Sequence, residues 1–227
     1  MTHLKTLVAP KPWNTPRKSK KYITRPNPGP HSLETSIPLN IIIRDVMHLT
    51  ATTRETKRVM YSGKVLVDNK ARKDHHFPVG FMDILTLPDI KQSYQILFNN
   101  QGHFIVKEIS QEEAGTKLCK IINKTLLNKG ITQITLHDGK NIIVEKGQYK
   151  VGDTVAISLK DAKISKHLKF EKGSLAFLTK GQHVGKIGVL EEIKRFKSIE
   201  EDRIILKTKD ESIETLKSYA FIIEKPI

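Results

Sequence analysis

One cysteine, Cys119, stands in 227 residues. That excludes an internal disulfide and any cluster of thiolate ligands within the chain, so a reducing cytosol is the natural setting. Aromatic residues make up only 6% of the sequence, which suits several small modules with modest cores better than one large barrel. No stretch of about 18 apolar residues occurs, so no membrane-spanning helix is expected. The N-terminus lacks the apolar segment of a signal peptide and is broken by Pro10 and Pro12. Carboxylates are missing altogether from residues 1–33.

Positive charge is what the chain has in excess. It carries 39 Lys and Arg against 24 Asp and Glu, a formal net charge of +15. A field of that sign attracts polyanions, nucleic acid first and an anionic membrane surface second. The charge is clustered. Residues 1–33 hold Lys5, Lys11, Arg17, Lys18, Lys20, Lys21 and Arg25 together with six of the ten prolines. Pro26, Pro28 and Pro30 forbid a helix there, and such a segment cannot bury a core alone. It is expected to be an extended arm that orders on a partner. Trp13 and Tyr22 are unusual in a merely solubilising tail. An aromatic among cations can stack on a base or dock in a protein groove.

Periodicity organises the rest. Leu39, Ile42, Val46 and Leu49 recur at spacings of three and four, predicting a helix with one buried stripe. Thr52 and Glu55 form a capping-box signature for a second helix ending near Ser62 and Gly63. Arg54, Lys57 and Arg58 share a face of that helix. KVLVDNKARKD predicts a strand, an Asp-Asn turn and a second strand carrying Lys64, Arg72 and Lys73, and a strand follows Gly80. YQILF and HFIVKEI flank Asn99–Gly102 as a hairpin. Ser110 with Glu113 predicts a capped helix carrying Leu118, Ile121 and Ile122, with Cys119 on its core face. ITQITLHDGKNIIVE alternates around Asp138-Gly139 as another hairpin. Tyr149–Leu159 is expected to add a strand pair turning at Gly152-Asp153. Beyond Gly173, the runs SLAFLTKG, KIGVLEEIK, RIILKTK and FIIEK predict consecutive short strands and a small barrel.

Catalytic and ligand-binding motifs find little support. GQHVGKIG superficially resembles a phosphate loop, but it has three residues rather than four between Gly181 and Gly185, and Ile187 follows Lys186 where a hydroxyl is required. Its glycines are better read as tight turns. His75 and His76 are adjacent, so on a strand they point to opposite faces, and no Cys or acidic partner sits at ligand spacing. His137-Asp138 invites a general base, yet a turn aspartate beside an exposed histidine explains it more simply. Basic clusters, by contrast, recur in the arm, on the second predicted helix and around the glycines of 172–197, which hold six Lys or Arg against two Glu. Cations spread over different local structures suit an irregular folded polyanion. RNA is favoured over duplex DNA because no helix-turn-helix or zinc-finger signature is present.

Several segments carry a resemblance. HLKTLVAPKPW, RPNPGPHSL at 25–33, VLVDNKARKDHHFPVGFMD at 65–83 and KLCKIINKT at 117–125 are similar to signature segments of the archaeal and eukaryotic small-subunit ribosomal protein family designated S-four-e. The likeness covers nearly the whole chain. The short MTHLK opening and an end soon after the last predicted strands make it look archaeal. The resemblance implies an S-four-like RNA-binding module at 37–88 and a KOW motif at 173–199, in which Gly181, Gly185, Gly188, Ile187 and Val189 match.

The expected fold class is therefore α+β and multi-modular: a basic extended N-terminal arm (1–36), a two-helix-plus-sheet S-four-like module (37–92), a central mostly-β domain (93–170) and an SH-three-like KOW barrel (171–227). The expected function is that of a structural constituent of the small ribosomal subunit, in the cytoplasm, with neither cofactor, metal nor small-molecule substrate. Its expected partners are small-subunit ribosomal RNA and neighbouring small-subunit proteins, with no membrane. The residues expected to meet RNA are Lys5, Lys11, Trp13, Arg17, Lys18, Lys20, Lys21 and Arg25 in the arm; Arg54, Lys57 and Arg58 on the helix; Lys64, Arg72 and Lys73 on the hairpin; and Lys180, His183 and Lys186 at the glycine turn. Two alternatives compete. An RNA-modifying enzyme would need a catalytic Asp or Cys in 94–160, where the cysteine, Cys119, lies on the core face of a predicted helix. A KOW-type transcription elongation factor would leave the arm unexplained.

Overall fold

A computed structural model of the chain describes residues 3–127, 131–144, 149–196, 200–208 and 211–225. It is mostly β, with two short helices and several small sheets, and it resolves into two compact units. One comprises Met1–Phe98, His103–Lys117 and Leu159–Asp161; the other comprises Asn99–Gly102, Leu118–Ser158 and Ala162–Ile227.

In the first unit, β1 (Leu4–Lys5) pairs with β2 (Tyr22–Ile23), and β3 (Ser36–Pro38) leads into α1 (Leu39–Ile41). The helix α2 (Thr53–Tyr61) follows, then β4 (Leu66–Val67), β5 (Lys70–Ala71), β6 (Pro78–Gly80), β7 (Ile84–Leu87), β8 (Gln92–Phe98) and β9 (Phe104–Ile109). Five of these strands form a sheet in the order β5-β4-β7-β8-β9, while β3 pairs with β6. The expected hairpin turns are present. Asp68 and Asn69 both have left-handed φ, 50° and 62°, as a tight two-residue hairpin turn requires. The capping box of α2 forms, and the helix closes at Gly63 with φ 76°.

Two expectations fail in this unit. The first predicted helix is only α1 followed by a widened π-type turn over Ile42–Val46, in which Met47 N–H reaches the Ile42 carbonyl. Ile41, Ile42 and Ile43 are all buried and Arg44, Asp45, Val46 and Met47 are half-buried, so burial does not follow a single helical stripe. The N-terminal segment is not a coreless arm either. Leu4, Ala9 and Trp13 pack in one cluster with Ile37, Leu39, Met60, Leu85 and Phe104. The segment cannot bury a core of its own, but it completes the core of its neighbours. Burying an indole contributes on the order of 2–3 kcal/mol, provided its N–H finds an acceptor. The Ser36 carbonyl supplies one at 2.6 Å.

The second unit contains two five-stranded sheets. Continuing in chain order, β10 (Thr116–Leu126), β11 (Thr132–Leu136), β12 (Asn141–Val144), β13 (Thr154–Ser158) and β14 (Ile164–Leu168) assemble as β12-β11-β10-β13-β14. They cover a core of Cys119, Ile121, Ile134, Leu136, Val155 and Ile157. Next come β15 (Leu175–Leu178), β16 (Ile187–Lys194), β17 (Arg203–Lys207), β18 (Ser212–Leu216) and β19 (Ala220–Ile223), ordered β18-β17-β16-β15-β19. Four of these strands match the expected runs; β18 was not foreseen.

The helix expected after Ser110 is absent. Ser110 does accept the Glu113 N–H, at 3.3 Å, but only one 3-10 turn forms before the chain extends into β10. Cys119 therefore sits on a strand, not on a helix. The strand pair expected over Tyr149–Leu159 is also different: the Gly152 turn leads into β13, whose hairpin partner is β14.

Candidate nucleic-acid interface

The β1–β2 ribbon sorts its side chains by register. Leu4 faces Ile23 and Lys5 faces Tyr22. Leu4 is buried and Ile23 half-buried against the core, so the Lys5–Tyr22 pair lies on the outer face, with both residues exposed. Lys11, Lys18, Lys20, Lys21 and Arg25 are exposed as well. Lys5, Lys11, Lys18, Lys20 and Lys21 have no ion pair among the described residues. Two members of the expected set make contacts within the fold. Trp13 is 1% exposed and cannot stack on a base without unpacking the core. Arg17 donates to the Leu7 and Ala9 carbonyls at 3.1 and 3.0 Å, which braces the preceding turns.

On α2, Arg54 and Arg58 are exposed and Lys57 is half-buried. The carboxylates that might neutralise them are engaged elsewhere. Glu55 accepts from the backbone N–H groups of Ala51 and Thr52 within the capping box. Asp68 is held by the Lys117 ammonium at 2.7 Å, and Asp74 accepts from the Asn27 amide at 2.7 Å and the His76 N–H at 2.9 Å. The field of this face reaches His75. Burial, then the charges of His76 and Lys57, push its pKa down to about 4. On the hairpin, Lys73 is exposed, Lys64 pairs with Asp89 at 2.6 Å, and Arg72 is half-buried with its guanidinium 4.2 Å from the Phe77 ring centre. A half-exposed pair such as Lys64–Asp89 is worth little and exchanges readily for a phosphate.

In the second unit, Gly181 and Gly185 have φ of 88° and 84°. A Cβ on Gly185 would lie 2.3 Å from the Asn99 carbonyl oxygen, and one on Gly188 would lie 3.0 Å from the Lys207 carbonyl oxygen. Close approach of protein backbone therefore accounts for these glycines, without appeal to a phosphate. Lys180 is exposed and His183 half-buried, while Lys186 pairs with Glu211. A cation absent from the expected set lies near Lys180. Lys120 donates to the carbonyls of Ser218 and Ala220 at 2.7 and 2.6 Å. Burial, then the charges of Lys217 and Lys180, bring its pKa down to about 8. Glu201 opposes them, and Lys217 itself pairs with Asp202 at 3.4 Å.

Two further clusters bear on chemistry. Lys117 is 1% exposed, and its ammonium bridges Asp68 at 2.7 Å and Asp83 at 2.5 Å. Asp83 also meets His31 Nε2 at 3.0 Å and accepts the Gly80 N–H at 2.8 Å. Burial opposes its ionisation, but Lys117, His31 and the Gly80 N–H outweigh it and hold the carboxyl well below the usual range. Gly80 is required because a Cβ there would meet the His31 ring at 2.5 Å. Lys117, Asp83 and His31 are buried and Asp68 is half-buried, so the group belongs to the interior of the fold. The second cluster is Cys119, His137 and Asp138, whose ligand atoms lie within 4.8 Å of one another. Asp138 already holds the Lys140 ammonium at 2.9 Å, and His137 Nδ1 lies 3.3 Å from the Lys120 N–H.

Comparison with known proteins finds relatives along nearly the whole chain. The family model described as Ribosomal family S4e matches residues 90–164, and that of the RS4NT (NUC023) domain matches residues 2–34. Curated relatives named "Small ribosomal subunit protein eS4" include that of Methanocaldococcus jannaschii, 42% identical over 99% of this chain and 96% of the relative. That of Methanococcus vannielii is 40% identical over 97% and 93%. Among solved structures, the 30S ribosomal protein S4e of Thermoplasma acidophilum superimposes with a TM-score of 0.74 at 32% identity, covering 83% of this chain and 95% of that one.

Proposed function

Because the chain belongs to the ribosomal S4e family, we propose that it is a structural constituent of the small ribosomal subunit that binds and stabilises small-subunit ribosomal RNA in the cytoplasm. The observation that carries this is the set of exposed cations on the first unit, on a segment without carboxylates and on a helix whose nearby carboxylates are committed to other partners. Dense RNA needs its phosphate repulsion reduced. Lysine supplies mobile point charge and arginine a two-pronged grip. Recognition rests mainly on shape, phosphates and 2′-hydroxyls, because A-form RNA hides its base edges in a deep groove. Within this reading, 37–92 acts as an S-four-like module and 171–227 as a KOW barrel. Neighbouring small-subunit proteins are the other partners. Against an RNA-modifying enzyme, Cys119 is 1% exposed, and Asp138 and Asp153 are 3% and 2% exposed and hold Lys140 and His167.

Sedimentation tests the proposal. Tagged protein should co-sediment with small subunits at one copy per particle and persist through a moderate salt wash. Substoichiometric, transient association, or migration with RNA polymerase instead, would overturn it.

A further inference from the structure

We propose that Tyr22 is a stacking platform for an unpaired RNA nucleobase, with Lys5 and Lys21 gripping the phosphates on either side of it. This rests on the RNA-binding function proposed above and names a subsite within it. The sequence offers two aromatics in its acid-free segment, and the structure separates them. Trp13 is consumed by the core, whereas Tyr22 is 48% exposed. Register fixes that exposure. In the two-residue ribbon, Leu4 and Ile23 turn to the core, so their neighbours Lys5 and Tyr22 must turn outward, directly across from each other. The Thr6 N–H donates to the Lys21 carbonyl at 3.1 Å and extends the pairing, which holds the ribbon in place.

The surroundings of the ring match the needs of a nucleotide. The His3 ring centre lies 5.3 Å from that of Tyr22 at an interplanar angle of 47°, so one edge of the platform is aromatic. The Lys21 ammonium lies 5.5 Å from the Tyr22 ring centre. A base that displaces the Lys21 ammonium from over the ring, releasing it to a neighbouring phosphate, would place its flanking phosphates among cations, with no carboxylate in residues 1–33 to repel them. Stacking of this kind tolerates any base, because every base has a π-face. Paired A-form RNA cannot use it, since its bases are already stacked, so the ligand is a loop, bulge or single-stranded junction. A protein groove is the competing occupant for an exposed tyrosine. The concentration of unpaired cations around it favours a polyanion.

Stacking and charge separate in a salt titration of the full-length protein. The probes are a single-stranded oligonucleotide and a fully paired duplex of equal length. Tyr22→Ala should weaken single-strand binding about 5- to 150-fold, the range for loss of one stacked base. The salt slope should stay unchanged, because no ion contact is lost. Duplex binding should be unaffected, and Tyr22→Trp should restore the single strand. Lys21→Ala should instead make the single-strand slope shallower by about 0.7. Tyr22 is exposed, so the variants should unfold at the wild-type midpoint. If wild type binds RNA and Tyr22→Ala binds single strands equally well, the platform is wrong while the broader function stands. Unchanged RNA binding with impaired incorporation into subunits would assign Tyr22 to a protein neighbour and equally overturn it. Wild type that binds neither RNA would remove both proposals.

Discussion

Lys117 is a lysine with almost no exposed surface, held between two aspartates. Removing one partner of a buried ion network costs about 3–5 kcal/mol, because the remaining charge is left uncompensated. Lys117→Met should therefore lower the urea midpoint sharply at pH 7. The pH dependence should change too. The folded Asp83 carboxyl is held below its unfolded value of 3.8. Below about pH 4 the unfolded chain then binds more protons, and wild-type stability falls on acidification. In Lys117→Met, burial is no longer outweighed, Asp83 protonates while folded, and the acid slope should be shallower. A variant as stable as wild type at pH 7 would show that the network is dispensable. Lys120 gives the opposite end of the scale. Its folded pKa of about 8 lies below the unfolded 10.5. The unfolded state holds the extra proton between those values, so stability should rise with pH from about 8 to 10.5. Lys120→Met should lose that rise, and an identical alkaline profile in both proteins would refute the assignment. Neither lysine was legible in the sequence. An inward lysine looks like a surface residue until its carboxylate partners, distant along the chain, are brought to it.

At the scale of elements, local signals proved right where they fixed backbone geometry. The Thr52–Glu55 cap, the Asp68-Asn69 turn and the Asp138-Gly139 hairpin all formed where their residues demanded it. They failed where pairing with distant strands decided the outcome. Ser110 and Glu113 make a real cap contact, yet Lys117, Cys119 and Ile121 are buried in strict alternation, which is a strand. The polar Lys117 on the inner face disguised that period of two. The arm failed differently: proline density correctly forbade a helix, but Trp13 and Leu4 signalled docking to the rest of the unit. For α2, the signal was sound. Replacing Arg54, Lys57 and Arg58 together by Ala should leave thermal stability within about 1 kcal/mol, since the side chains are largely outward. The salt slope for RNA binding should fall by up to about 2.7, at roughly 0.9 per phosphate on a duplex. A collapse of stability with binding intact would make the three residues structural.

For the molecule as a whole, three of the four segments that carried the family resemblance converge in space for a physical reason. RPNPGPHSL supplies His31, FPVGFMD supplies Gly80 and Asp83, VLVDNK supplies Asp68 and KLCKI supplies Lys117. What those motifs specify in common is the interior of the first unit, although Lys5, Lys11, Arg25, Arg72 and Lys73, all proposed here to meet RNA, lie within the same segments. Membership of the family was legible because residues that meet in one interior network fix one another's identity, a constraint that an exposed cation does not carry. The claim that this surface neutralises phosphates is tested most directly by the affinity of the full-length protein for small-subunit ribosomal RNA as a function of salt. With six or more phosphates engaged, log K should fall against log salt with a slope of about −5 or steeper, on the order of −0.9 for each phosphate in a duplex. A slope near zero would mean that the positive charge of this chain is not what holds it to RNA.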